Sequence, residues 1–258
     1  VRDLIVSLQA EFLKGRGSAA LWLSTLGPLL SVALFAYFGA TQIDWSTRED
    51  PWDAFLNYAY AGVAPTLLPL LVIILCILVV QPEHRRRMWV QLDVLPLPYG
   101  AIYLGKFCYT LLLFIFAHLL FIAGTLLAGY ILGIMGVETE LLRQRPDPAY
   151  LLQMALRTVT GVLGLMGLHF WLSVQFRHFI IPLVIGILGY ITAFTQLEQL
   201  DWSYVLPYAQ PTEAVLYGLQ PELDTVDWNG VPLAYYLSCV QCILLLLVGY
   251  LLTSAKKF

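Results

Sequence analysis

The chain has 258 residues, 59% of them hydrophobic and 12% charged, with a formal net charge of −3 and a mean hydropathy of +0.75. A soluble domain of this composition would have to expose large apolar patches, so soluble fold classes are excluded. Acidic residues gather in some inter-run segments and basic residues in others, a pattern that speaks of membrane topology and leaves no nucleic-acid partner to expect.

Six apolar runs are candidates to cross a bilayer. Its hydrocarbon core of about 30 Å needs roughly 20 residues of helix, because lipid offers backbone N–H and C=O groups no partner. In chain order the runs are Ala19–Phe38, Tyr58–Val80, Phe107–Met135, Gln153–Gln175, Phe179–Thr195 and Ala234–Thr253. With the N-terminus inside, the inner segments hold Arg2, Lys14, Arg16, Arg85, Arg86, Arg87, Lys106, Arg177, Lys256 and Lys257. The outer segments hold only Arg48, Arg143 and Arg145, with Arg157 near the outer end of the fourth run. This bias predicts that both termini face the cytoplasm. The expected fold class is all-α integral membrane, with six transmembrane helices in one domain spanning 1–258, since the inter-run segments are too short to fold alone.

Ahead of the first run, Leu4, Ile5, Leu8 and Phe12 recur at helical spacing. They predict an interfacial helix over 1–17 that lies on the inner leaflet and turns into the membrane at Gly15 to Gly17. The opening polar residues lack the apolar core of a cleavable signal peptide. In the first outer loop, Thr41 to Asn57, the indoles of Trp45 and Trp52 are expected to anchor at headgroup level.

The inner segment 81–106, QPEHRRRMWVQLDVLPLPYGAIYLGK, is the most distinctive stretch. It predicts a short cytoplasmic helix with Pro82 in its first turn, Met88 and Leu92 on one face, and Pro96 with Pro98 forbidding continuation. Arg85 to Arg87 satisfy the topology rule, but an aromatic-bearing helix with a proline stop is better suited to docking a cytoplasmic partner. Candidate docking residues are Glu83, Arg85, Arg86, Met88, Trp89, Leu92 and Leu95.

Polar groups within the later runs are few. His118, His169 and Gln241 are costly in hydrocarbon, so they should hydrogen-bond between helices or line a translocation path. Gly129-x-x-x-Gly133 and the row Gly161, Gly164, Gly167 imply tight helix contacts, within one subunit or across a dimer. Cys239 and Cys242 form C-x-x-C on a helix face without a second pair or a neighbouring His, and read as packing residues. The extracellular loop 196–233 carries six acids and no Lys or Arg, and its aromatics with Pro211-Thr212-Glu213 predict one or two short helices dipping into the outer leaflet.

The sequence contains no phosphate-binding loop, no H-E-x-x-H and no G-x-S-x-G, and the runs hold no paired acids for intramembrane catalysis. No catalytic residue, metal or cofactor is therefore expected in the chain itself.

Three stretches carry a family resemblance. LQAEFLKGRGSAALWLSTLGPLLS (Leu8 to Ser31) has an E-x-x-K helix, a basic turn and a first span with Pro. The inner segment carries an acid, W-x-x-L, L-P and Y-x-x-K at Glu83, Trp89, Leu92, Leu95, Pro96, Tyr103 and Lys106. LHFWLSVQFRHFIIPLVIGI (Leu168 to Ile187) has W-L-S followed by basic-F-x-x-P. Together they resemble the permeases of ABC type-2 transporters, especially the lantibiotic-immunity and bacitracin-resistance branch. That resemblance implies a permease subunit in the cell's inner (cytoplasmic) membrane, joined to a second permease as homodimer or heterodimer. Two separate ATPase subunits would bind the ATP and Mg and grip the inner-segment helix. It also implies export of a hydrophobic or amphipathic solute, with an antimicrobial peptide as the expected class. The alternatives are a lipid or envelope-assembly permease, or a membrane scaffold that borrows an ATPase for mechanical work.

Overall fold

The computed structural model describes residues 2–45, 50–85, 97–196, 203–219, 227–228 and 231–254. They form α1 (Arg2–Gly15), α2 (Ala19–Gln42), α3 (Pro51–Val63), α4 (Leu67–Arg85), α5 (Tyr99–Ile134), α6 (Glu140–Arg143), α7 (Pro148–Gln175), α8 (Ile180–Gln196), α9 (Gln210–Leu219) and α10 (Leu233–Ser254). A 3-10 turn at Ser203–Val205 and a two-residue antiparallel ladder, Asp227–Trp228 with Val231–Pro232, complete the described elements. Five helices, α2, α4, α5, α7 and α10, are long and apolar enough to cross a membrane, and α8 is a shorter apolar helix of 17 residues.

Local chemistry sets most boundaries. Ser18 caps α2, its hydroxyl accepting from the Leu21 amide at 3.3 Å, after a turn in which Gly17 takes φ +71°. Asp50 caps α3 and Asp147 caps α7, each followed by Pro at the first helical position, where a missing N–H costs nothing.

The second apolar run is not one span. It divides into α3 and α4 at Ala64 to Thr66, because Pro65 has no N–H to continue the helix and its ring crowds the preceding turn. The freed carbonyls are recaptured: the Thr66 amide donates to Val63 O at 3.3 Å and its hydroxyl to Gly62 O at 2.6 Å. Nor does Pro82 open a new helix; it lies inside α4, which runs on through Arg85. The third run, by contrast, is longer than its apolar stretch. Residues 99–106 join it to make α5 a single helix of 36 residues, about 54 Å at 1.5 Å per residue.

α7 is the hub, packed against α10, α4 and α9, while α2 and α1 both lie along α5. The main core joins Phe114, Met154, Leu165 and Phe170, all fully buried, with Tyr103 and Phe107 edge-on to Phe170 at 5.1 and 5.4 Å. A second cluster of Trp52, Phe55, Leu132 and Leu141 closes the opposite end. Trp52 is therefore a core residue and not a headgroup anchor: it is 0% exposed and its indole N–H donates to Leu141 O and Gln144 O at 3.1 and 3.2 Å. It wedges against Gly129, where a Cβ would meet its ring at 2.6 Å.

α1 presents its polar and small face inward. Ser7, Glu11 and Gly15 are buried, whereas Ile5, Val6, Phe12 and Leu13 are exposed. That inversion of ordinary soluble amphipathicity suits a helix whose outer face meets lipid.

Candidate functional site

The inner-segment residues Arg86, Met88, Trp89, Leu92 and Leu95 lie outside the described residues, and Arg85 closes α4. What the structure defines is the root from which that segment springs: the last turn of α4, the first turns of α5, and α1 laid across them. There, four charges converge. Glu11 Oε1 accepts from Lys14 at 2.8 Å and its Oε2 from Lys106 at 2.9 Å. Glu83 Oε1 receives both lysines, Lys14 at 3.0 Å and Lys106 at 2.8 Å. Lys106, Glu83 and Glu11 are buried, at 1, 2 and 4% exposure; Lys14 sits at the mouth.

Two acids against two bases leave no net charge, which is the condition for burying such groups at all. Burial presses the Glu11 carboxyl upward. The attraction of Lys106 and hydrogen bonds from Lys14 and Lys106 outweigh it, leaving the group below its ordinary value. Burial likewise lowers Lys14, but the Glu11 hydrogen bond and the Glu83 charge reverse the sign and hold its ammonium above the usual lysine range.

Glu83, expected among the docking residues, is 2% exposed and its Oε1 accepts from both lysines, so within this chain it ties the end of α4 to α1 and α5. Sequence reasoning passed over Glu11, Lys14 and Lys106 as its partners. The available signal was Ser7, Glu11 and Gly15 recurring every four residues along one edge of the apolar stripe, a row of small and polar residues beside Leu4 and Leu8. One residue further along α4, His84 Nε2 donates to the Ser173 carbonyl at 3.0 Å, so the same turn is also tied to the end of α7.

The three in-span polar candidates separate into two places. His118 lines an apolar cavity of about 310 Å³ between α2, α4 and α5, with Ser31, Pro28, Leu71 and Phe121 among its walls. Its ring stacks on Phe114, and Nε2 lies 3.4 Å from the Tyr60 hydroxyl. His169 and Gln241 instead hold the segment between α8 and α10. His169 Nε2 lies 2.9 Å from the Tyr208 hydroxyl. Gln241 accepts from Gln210 Nε2 at 2.9 Å and donates to Val205 O at 2.8 Å. Gln241 thus ties α10 to α9, and His169 ties α7 to the turn that precedes α9.

The glycine row on α7 explains how this segment seats. A Cβ at Gly161 would lie 2.6 Å from the Ala214 methyl, one at Gly164 2.5 Å from Gln210 Oε1, and one at Gly167 3.0 Å from Cys242 Cα. The close approach therefore serves contacts within the subunit, to α9 and α10. α9 begins where Pro211-Thr212-Glu213 predicts a helix start, and Thr212 donates to Ala64 O at 3.4 Å, at the α3–α4 break. Trp202 lies outside the described residues.

Residues 7–193 match the family described as ABC-2 family transporter protein. The match covers well over half of the chain, and the chain belongs to that family. It is accordingly a multi-pass membrane protein and a permease subunit, whose partners are ABC ATPase subunits in a membrane complex and whose ATP hydrolysis falls to them. Among curated proteins none matches the chain.

Proposed function

We propose that this chain is the permease of an ATP-driven exporter in the cytoplasmic membrane, with six spans (α2, α4, α5, α7, α8 and α10) and both termini inside. It pairs with a second permease and two ATPases, and it moves a hydrophobic or amphipathic solute outward, with an antimicrobial peptide as the favoured class.

The observation that carries this reading is the charge cluster at the root of the segment 86–96. A push on that segment enters the chain at Arg85 and Tyr99, the elements it joins. Because Glu83 and Lys106 are locked to each other and to α1, the ends of α4 and α5 take up the push as one unit. From there it passes along two routes. One is the His84 bond to α7; the other is the length of α5, which ends in the Trp52 cluster at the far side. The apolar cavity beside His118 lies between α2 and two of the helices so moved, α4 and α5, where a solute drawn from lipid would meet few unpaired polar groups.

Purifying the tagged chain with its ATPase tests the reading. Combined substitution of Arg86, Trp89 and Leu92 should leave the permease folded but abolish solute-stimulated ATP hydrolysis. Undiminished association and transport would refute it.

A further inference from the structure

We propose that the cavity between α1, the end of α4 and the start of α5 is a binding site for the headgroup of a primary-amine phospholipid. It has a volume of about 200 Å³ and is lined by Glu11, Lys14, Ser18, Leu78, Glu83 and Lys106, among others. That is several times the share of one water, about 30 Å³, and is the scale of a phosphoethanolamine group.

The chemistry of the walls selects the ligand. Both lysines are already neutralised by the two carboxylates. One polar atom is left over: Glu83 Oε2 is buried and accepts no hydrogen bond. A buried carboxylate oxygen in that position calls for a donor, best a charged one, and a primary ammonium supplies it. A quaternary ammonium has no N–H to give and is discriminated against at this atom. The phosphate of the same headgroup then needs a cation at the rim, where the Lys14 side chain is 38% exposed. Leu78, Val79 and Pro82 form an apolar wall for the glycerol end. The exposed apolar residues of α1, Phe12 and Leu13 beside Lys14, put the mouth at the level of a leaflet surface.

The cytoplasmic leaflet as the source rests on the N-terminus-inside reading above; the headgroup preference does not. The test is native mass spectrometry of the full chain after transfer from nanodiscs of phosphatidylethanolamine or phosphatidylcholine. The ethanolamine lipid should be retained at least about tenfold more. Glu83→Gln should reduce retention to the choline level. Leu78→Phe, which fills the cavity without touching a charge, should do the same and keeps the test open if the first variant unfolds. Soluble glycerophosphoethanolamine should compete the bound lipid away. Equal retention of both lipids, unchanged retention in Glu83→Gln, or failure of the soluble headgroup to compete would each overturn the site. If a cysteine placed at Arg2 is labelled from outside while lipid selectivity persists, the orientation is wrong and the site stands.

Discussion

Lys106→Met is the substitution that most directly probes the charge cluster, because methionine keeps the length of the stem and removes only the ammonium. Lys106 Nζ lies 2.9 Å from Glu11 Oε2 and 2.8 Å from Glu83 Oε1, and the side chain is 1% exposed. At an effective dielectric of about 20, each contact is worth roughly 6 kcal/mol of Coulomb energy before desolvation. Several kcal/mol per ion of desolvation cost offset most of that. Removing one partner leaves the other charges buried without compensation, and the expected net loss is about 3–5 kcal/mol. The variant keeps Glu11 and Glu83 facing a single half-exposed Lys14, so one negative charge is in excess. Glu83→Gln on the Lys106→Met background should therefore restore part of the loss, with a coupling energy on the order of 1–3 kcal/mol. Denaturant unfolding in bicelles, read as a four-member mutant cycle, measures it. A Lys106→Met variant within about 0.5 kcal/mol of the parent, or strictly additive single effects, would refute the cluster as a stabilising and positioning device.

The same cluster should confer stability across the neutral range, with one limb on each side. Glu11 is depressed, so its contribution is present above the ordinary value of 4.5 and is lost as pH falls through its lower folded value. Lys14 is raised, so its contribution is complete below 10.5 and is lost as pH rises through its higher folded value. Thermal melts against pH should lose the acid limb in Glu11→Gln. Gly164→Ala should displace Gln210 and loosen α9, at a cost of about 1–3 kcal/mol typical of overpacking, seen as faster proteolysis of the segment 203–219. Trp52→Phe should cost about 1–3 kcal/mol by leaving the Leu141 and Gln144 carbonyls without their donor, measured by thermal shift.

The apolar periodicity made most of the fold legible. α2, α7, α8 and α10 begin and end close to the predicted runs, since a helix in lipid has few other ways to satisfy its backbone. What hydropathy could not register was a break inside an apolar run: Pro65 sits among residues as apolar as the helices it divides, and only its missing N–H marks the division. Trp52 misled for a related reason. An indole in a loop after a span suits an interface anchor, but burial followed from Gly129 on a distant helix, which leaves room for the ring. The ion pairs of Glu83 were the least legible, because a charge beside a basic run looks solvated until its partners, 69 residues upstream and 23 downstream, are brought against it.

The burial of these charges bears on how the proposed permease is driven. A surface contact transmits force only where it touches. A buried, charge-balanced joint transmits force by being rigid. Lys106, Glu83 and Glu11 lie within 3.0 Å of their partners and are buried, so separating them leaves an uncompensated charge in a low-dielectric surrounding. Of the tied elements, α1 rests against α5 with its apolar face outward, so it can slide along a leaflet while holding α4 and α5 together. In the proposed exporter such a joint would favour a rocking of whole helices over a local bending of α4. The placement of Pro82, one residue before Glu83, fits this: the helix turn weakened by a missing hydrogen bond is the turn the ion pairs reinforce.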